Sequence, residues 1–224
     1  MWKLFPQPDT LGIMNDLSPL TFFDLNGYAH ANLFTKCTYV WEALANIERY
    51  LDAYALGKIE ADIPSHAYLI DSELITIGRD SVVEPGAYIQ GPCVLGRGCT
   101  VRHGAYIRGN VIVGDGCVIG HDTEMKGSVM LNGAHAAHFA YVGDSILGKG
   151  VNLGAGTILA NLRFDRKPVT VRHGEKLYET GLKKFGAILG DGAQTGCNAV
   201  TNPGTLFAKG AICRPCINVG GIVH

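Results

Sequence analysis

Aliphatic residues recur at every sixth position over a long stretch of this chain. From Ile77 the series runs through Val83, Ile89, Leu95, Val101, Ile107, Val113, Ile119, Met125 and Leu131. The fourth residue after each is mostly small, as at Ser81, Ala87, Cys93, Cys99, Ala105 and Cys117, and the third is often glycine. A period of six fits neither a helix nor an alternating strand. It fits a short flat strand followed by a tight turn, with three such hexads closing one triangular coil. The aliphatic residue points into the prism, the small residue fills a narrower slot, and glycine supplies the positive φ of the turn. Coils then stack through parallel strand pairing at about 4.8 Å. The predicted fold is all-β, a parallel β-helix of hexapeptide repeats.

Two breaks interrupt the rhythm. Leu131 and Leu147 are 16 residues apart, two short of three hexads, so the register is expected to slip within Gly133–Ser145. After Leu147, Leu153 and Leu159 the pattern stops, and it resumes at Leu189, Thr195, Thr201, Phe207, Cys213 and Val219. Residues 162–188 therefore read as an inserted loop, and alternation around Val169 and Val171 followed by His173 and Gly174 predicts a hairpin. Upstream, Cys37, Val40, Leu44, Ile47, Leu51 and Tyr54 are spaced three and four apart. That spacing predicts an amphipathic helix over 33–56, with Asn32 as N-cap and Gly57 as stop. The chain divides into a helical N-terminal segment, 1–62, and a β-helix, 63–224. The helix is expected to cover the open end of the prism or to hold subunits together.

Composition narrows the function classes. Of 224 residues, 47% are hydrophobic and 30 are glycine, which excludes a disordered chain. The net charge of -1 gives no basic excess for nucleic acid or anionic lipid. No apolar run is long enough to span a membrane, and the start, MWKLFPQPD, does not resemble a secretion signal. A soluble cytoplasmic protein is expected. Seven cysteines, an odd number and read as holding no CxxC pair, point away from a disulfide framework or zinc knuckle. Cys93, Cys99 and Cys117 fall in the small inward slots and read as packing residues.

Candidate chemistry gathers between Arg108 and Asn161. A coil of 18 residues would place positions 108, 126 and 144 one above another. Arg108 and Lys126 would then form a stacked cationic pair suited to a phosphate, or simply two solvated side chains at turns. The segments HDTEMKG, AAHFAYVGDSILG and VNLGAGTILANLRFD occur in that order. They resemble the hexapeptide-repeat acyltransferases, most closely the acetyltransferase half of bifunctional glucosamine-1-phosphate N-acetyltransferase/N-acetylglucosamine-1-phosphate uridyltransferases. The insert, FDRKPV through LYETGLKKFG, resembles the archaeal-type branch, whose members also accept galactosamine 1-phosphate. The resemblance covers about residues 77–220.

The resemblance implies a left-handed coil, a homotrimer with sites between subunits, acetyl-CoA as co-substrate and no metal. The implied reaction is acetyl transfer to the 2-amino group of an aminosugar 1-phosphate. The amine loses a proton as it attacks, and imidazole, with an ordinary pKa of roughly 6.5, suits that task. By position, His138 matches the family's general base and Tyr141 its neighbouring tyrosine. Arg108 and Lys126 match residues on the sugar phosphate, Glu124 one on sugar hydroxyls or amine, and Asn152 and Asn161 positioning amides. Ala155 matches the residue whose backbone N–H faces the thioester oxygen, and Lys167 a lysine of the archaeal-type site, where a second lysine is Thr170 here. Cys197 falls at a hydroxyl position of the acetyl-CoA groove, and Arg214 is the only basic residue in the final coil available for the CoA phosphates. No Gly-rich GxGTR-type loop precedes the repeat, so no nucleotidyltransferase half is expected in these residues. Three other readings stand beside this one. They are acyl transfer to another (nucleotide) aminosugar, a non-catalytic scaffold or regulatory subunit, and a carbonic-anhydrase-like metal site using His103, His121, His135 and His138. The last lacks the closely spaced His-x4-His pair it needs.

Overall fold

A computed structural model of the protein describes residues 16–224. From Tyr68 onward the chain lays short strands in strict rotation onto three parallel sheets. The first sheet begins with Tyr68–Ile70, Tyr88–Gln90, Tyr106–Arg108, Glu124–Lys126 and Tyr141–Gly143. The second begins with Ile75–Ile77, Cys93–Leu95, Val111–Val113, Ser128–Met130 and Ile146–Leu147. The third begins with Val82–Val83, Thr100–Val101, Val118–His121, His135–His138 and Asn152–Leu153. With eight strands in two sheets and seven in the third, the prism has seven complete coils and part of another. It is the parallel hexapeptide-repeat β-helix that the period predicted, left-handed as the resemblance implied.

The interior follows the hexad rule. Ile77, Ile89, Leu95, Val101 and Ile107 are buried, as are Ala87, Cys93, Cys99, Ala105 and Cys117 in the narrow slots. The Cys99 and Cys117 thiols each lie 3.1 Å from a backbone carbonyl, those of Gly114 and Leu131. Burial pushes the Cys93 thiol up to about 12, as suits an inert packing group.

The register slip is located differently from the expectation. Tyr106 pairs with Glu124 and Val111 with Ser128, so one residue is lost at the corner Lys126–Ser128. The next coil keeps the shorter length, with Lys126 opposite Gly143 and Met130 opposite Leu147. Met130 therefore fills the inward slot assigned to Leu131, and Leu131 joins an outer apolar cluster. The slip is two short corners, at Lys126–Ser128 and Gly143–Ser145, of which only the second lies within Gly133–Ser145. A sixth-residue count cannot separate Met130 from Leu131, because both are apolar.

The N-terminal segment corrects a second expectation. Its helix is Glu42–Asp52, shorter than 33–56, with Trp41 rather than Asn32 as N-cap and Ala53 at its end. Asn32 lies instead in a 3-10 turn, Ala31–Phe34. Between them, the Glu42 carboxylate accepts the backbone N–H groups of Thr38 and Tyr39, which folds 35–41 into a turn. Val40 and Trp41 are buried in that turn, so apolar spacing ran on past the helix start.

The helix covers a flank of the prism, not its end. From its second strand on, the outward-facing residues of the second sheet are aliphatic: Val94, Ile112, Val129, Ile146, Ile188 and Leu206. They form one buried cluster with Leu17, Phe22, Phe34, Trp41, Ile47 and Leu51. A strand buried on both faces must be apolar at consecutive positions, and these are. The inserted loop joins the same cover. Its hairpin, Thr170–His173 with Lys176–Glu179, has Val169 and Val171 buried and Tyr178 against Tyr39.

His30, 2% exposed, lies within this cover with its Nδ1 2.9 Å from the Tyr50 hydroxyl. Burial drives its pKa down to about 4 from an ordinary 6.5. Above pH 6.5 the ring is neutral folded and unfolded, so its contribution is complete there. As pH falls toward 4 the unfolded chain takes up a proton that the folded chain refuses, and stability is lost. The expected loss is up to about 3 kcal/mol between pH 7 and 4. Denaturant titrations across that range should show a shallower slope in His30→Phe than in the parent.

Candidate active site

The short corners between the first and second sheets build one half of the site. Lys126 stacks on Arg108 as the coil spacing predicted, but Gly143 takes the third place and Asp144 follows it. Each cation already has a carboxylate partner. Arg108 Nη1 donates to Glu124 Oε1 at 2.6 Å, and Lys126 Nζ lies 2.8 Å from Asp144 Oδ2. The Glu124 carboxylate shifts the Arg108 guanidinium further up. The Lys126–Asp144 pair is more sheltered, its side chains 16% and 18% exposed.

Asn161 arrives on the next coil. Its Nδ2 donates to the Tyr141 hydroxyl at 3.1 Å and to Asp144 Oδ2. Asp144 thus anchors Lys126 and Asn161 together, and its own backbone carbonyl accepts the N–H of Gly186, where the insert returns. Sequence reasoning had placed Asp144 in the stack without giving it a role. Gly143 leaves room for the Tyr141 and Asn161 side chains. A Cβ at this residue would lie 2.6 Å from the Tyr141 hydroxyl oxygen and 2.7 Å from Asn161 Nδ2.

The corner between the third and first sheets builds the other half. His138 pairs with His121 below it. Two residues beyond the last paired positions, the register puts Ala155 over His138 and Cys197 over Ala155. Backbone bonds confirm the ladder: the carbonyls of His138, Ala155 and Cys197 accept from Gly156, Asn198 and Cys216 on successive coils. Among the described residues no carbonyl accepts the Ala155 N–H.

His138 is exposed, and its neighbour Phe139 adopts φ +52. Most equivalent positions on other coils carry types that tolerate this region, Gly104, Asp122, Gly156 and Asn198, with Cys216 on the last the other exception. A bulky ring there is a local strain of the kind found beside functional groups. Phe139 was the sequence signal left unread. It is 53% exposed and packs edge-on to His121 at 5.1 Å.

Other predicted residues lie apart. Asn152 sits on the outer surface of the third sheet between His135 and Gln194, whereas Glu124 and Tyr141 sit on the first. Lys167 is exposed in the inserted loop, where its N–H donates to the Asp165 carboxylate. Arg214 is exposed in the last coils, between Cys213 and Cys216. These two cysteines form a CxxC spacing that the sequence reading passed over. Cys213 is buried and Cys216 exposed, so they point to different environments. Among the described residues no three His, Cys, Asp or Glu side chains gather as a metal site, and no helix is long and apolar enough to cross a membrane.

The chain is 41% identical over 95 residues to a bifunctional sugar-1-phosphate nucleotidylyltransferase/acetyltransferase of Sulfurisphaera tokodaii, a match covering 42% of this chain and 23% of that protein. It is 49% identical over 67 residues to the bifunctional protein GlmU of Methanocaldococcus jannaschii, covering 30% of this chain and 16% of that one. The chain thus spans less than a quarter of the length of these curated relatives. Among solved structures, a hexapeptide transferase family protein from Anaplasma phagocytophilum aligns with a TM-score of 0.40 at 15% identity, over 72% of this chain and 74% of that chain. The family described as the GMPPB C-terminal domain matches residues 89–218. That match takes in more than half of the sequence, and the chain belongs to the GMPPB C-terminal domain family.

Proposed function

We propose that this protein is an N-acetyltransferase that moves acetyl from acetyl-CoA to the 2-amino group of glucosamine 1-phosphate or galactosamine 1-phosphate. The observation that carries this reading is the ladder of His138, Ala155 and Cys197 beside the face bearing Glu124, Lys126 and Tyr141. Coils about 4.8 Å apart put an imidazole one step from an unoccupied backbone N–H. In the proposed step the amine attacks the thioester carbonyl while the Ala155 N–H donates to the developing oxyanion. His138 takes the amine proton, the C–S bond breaks, and the CoA thiolate leaves and is protonated from the imidazolium. Lys126 and Arg108 hold the phosphate, with Glu124, Asn161 and Tyr141 on the sugar. The Sulfurisphaera tokodaii relative is a nucleotidylyltransferase/acetyltransferase, which supports the reaction class.

Asn152, Lys167 and Arg214 fit this reading if the site is completed by neighbouring copies in a homotrimer. Two surfaces remain free for that assembly. The second sheet is covered by the chain's own N-terminal segment, while Tyr68, Tyr106 and Ile158 on the first and Val82 and Ile212 on the third are exposed. Cys197 and Arg214 are proposed to line the acetyl-CoA groove.

One observation favours a non-catalytic scaffold instead: both phosphate-site cations are already neutralised within the chain. Thiol release from acetyl-CoA with each aminosugar 1-phosphate decides between them. Turnover with either sugar supports the transferase, and none from a folded protein supports the scaffold. If the transferase reading holds, Asp144→Asn should raise KM for the sugar phosphate about tenfold with a smaller change in kcat. Its partners Lys126 and Asn161 would then lose their shared anchor.

A further inference from the structure

Three histidines share the corner between the third and first sheets, at matching positions on successive coils: His103, His121 and His138. The lower two are tied to the column. His103 Nδ1 lies 2.9 Å from the Pro85 carbonyl oxygen, one coil down, and His121 Nδ1 lies 3.0 Å from that of His103. A carbonyl can only accept, so both rings donate from Nδ1. The two rings also stack, with centroids 5.6 Å apart and planes 16° from parallel.

The column stops at His121. Its next ring neighbour is Phe139, edge-on at 5.1 Å, and its carbonyl accepts the Phe139 N–H at 2.8 Å. Among the described residues, the His138 imidazole has neither the carbonyl nor the stacked ring that hold the two below it. Phe139 occupies both places. It does so at φ +52 and 53% exposed, so its backbone is disfavoured and its ring buries little apolar surface in return. Packing alone does not account for an aromatic residue there.

We propose that Phe139 is a positioning residue, which props the His138 imidazole off the histidine column and toward the level of the Ala155 N–H. Without the phenyl ring, the imidazole would drop onto His121 and donate from Nδ1 to the His121 carbonyl. That oxygen has a second lone pair to accept it. The inference rests on the acetyltransferase reading to this extent, that the propped ring is the proposed general base. A misplacement of about 1 Å at such a group can cost 10²-fold in rate.

Ring-nitrogen NMR on the full chain labelled with 15N-histidine tests the placement without any turnover. At about pH 8 imidazoles are neutral, and the proton sits on one nitrogen or the other. In Phe139→Gly, where glycine accepts a positive φ freely, His138 should switch to the Nδ1–H form expected of His103 and His121. Phe139→Asn, the type found at Asn198, should do the same, and Phe139→Tyr, which keeps the ring, should match the parent. With acetyl-CoA and an aminosugar 1-phosphate, the two ringless variants should lose about ten- to a hundredfold in kcat at unchanged KM. In a His138→Ala background Phe139→Gly should cost nothing more. Unaltered His138 ring signals in both ringless variants, an effect on KM instead of kcat, or a further loss beside His138→Ala would each overturn the proposal. A parent protein without turnover would instead remove the acetyltransferase reading, and the ring-nitrogen signals alone would decide the placement.

Discussion

Replacing His138 by alanine is expected to slow acetyl transfer by about 10²–10⁴-fold, the usual contribution of a positioned general base. The effect should fall on kcat more than on KM, because the imidazole acts as the amine proton leaves. Folding should hardly change. His138 is exposed, and its nearest recorded ring contact is Phe139 at 6.3 Å. An exposed substitution without a hydrogen-bond network usually stays within about 0.5 kcal/mol. A thermal midpoint equal to that of the parent would therefore assign the lost rate to chemistry. Undiminished thiol release from acetyl-CoA in the variant would remove His138 from the mechanism, whatever the fold does.

The second large effect concerns stability. Trp41→Ala should cost about 3–5 kcal/mol, as for other buried aromatics cut back to alanine. The indole is 2% exposed and stacks on Tyr39 at 4.9 Å, with Tyr178 at 6.1 Å and Phe185 at 6.5 Å. It thus ties together the N-terminal segment, the inserted hairpin and the insert's return to the prism. Domains are stable by only about 5–15 kcal/mol, so this one ring supports a sizeable fraction of the total. Denaturant unfolding should show the loss, while Leu20→Ala, at a residue 65% exposed, should show almost none. A Trp41→Ala protein within 1 kcal/mol of the parent would mean that the cover is not seated on the second sheet.

Much of the site was legible because a repeat converts sequence spacing directly into height along one axis. The hexad series placed Arg108 beneath Lys126, and both are found there. What spacing could not show was charge partnership. Glu124 and Asp144 neutralise those two cations through side-chain contacts that a count of inward apolar positions does not report. The ladder of His138, Ala155 and Cys197 was hidden by the 25-residue detour from Leu162 to Gly186, which separates adjacent coils in sequence but not in space.

The sequence alone determined the β-helix, its inward residues apart from Met130, and the insertion point of the hairpin. All three depend on local periodicity, which each coil repeats with its own residues. The tertiary structure decided where the N-terminal helix lies. The second sheet's outward aliphatic row was visible as consecutive apolar positions, CVL, VIV, SVM, AIL and TLF, but a strand apolar on both sides does not say what covers it. Burial of that row is a long-range event, in which Trp41, Ile47 and Leu51 meet residues from Val94 to Leu206. Apolar surface is non-directional in its demand for cover, so only the assembled chain could select which flank the helix would take.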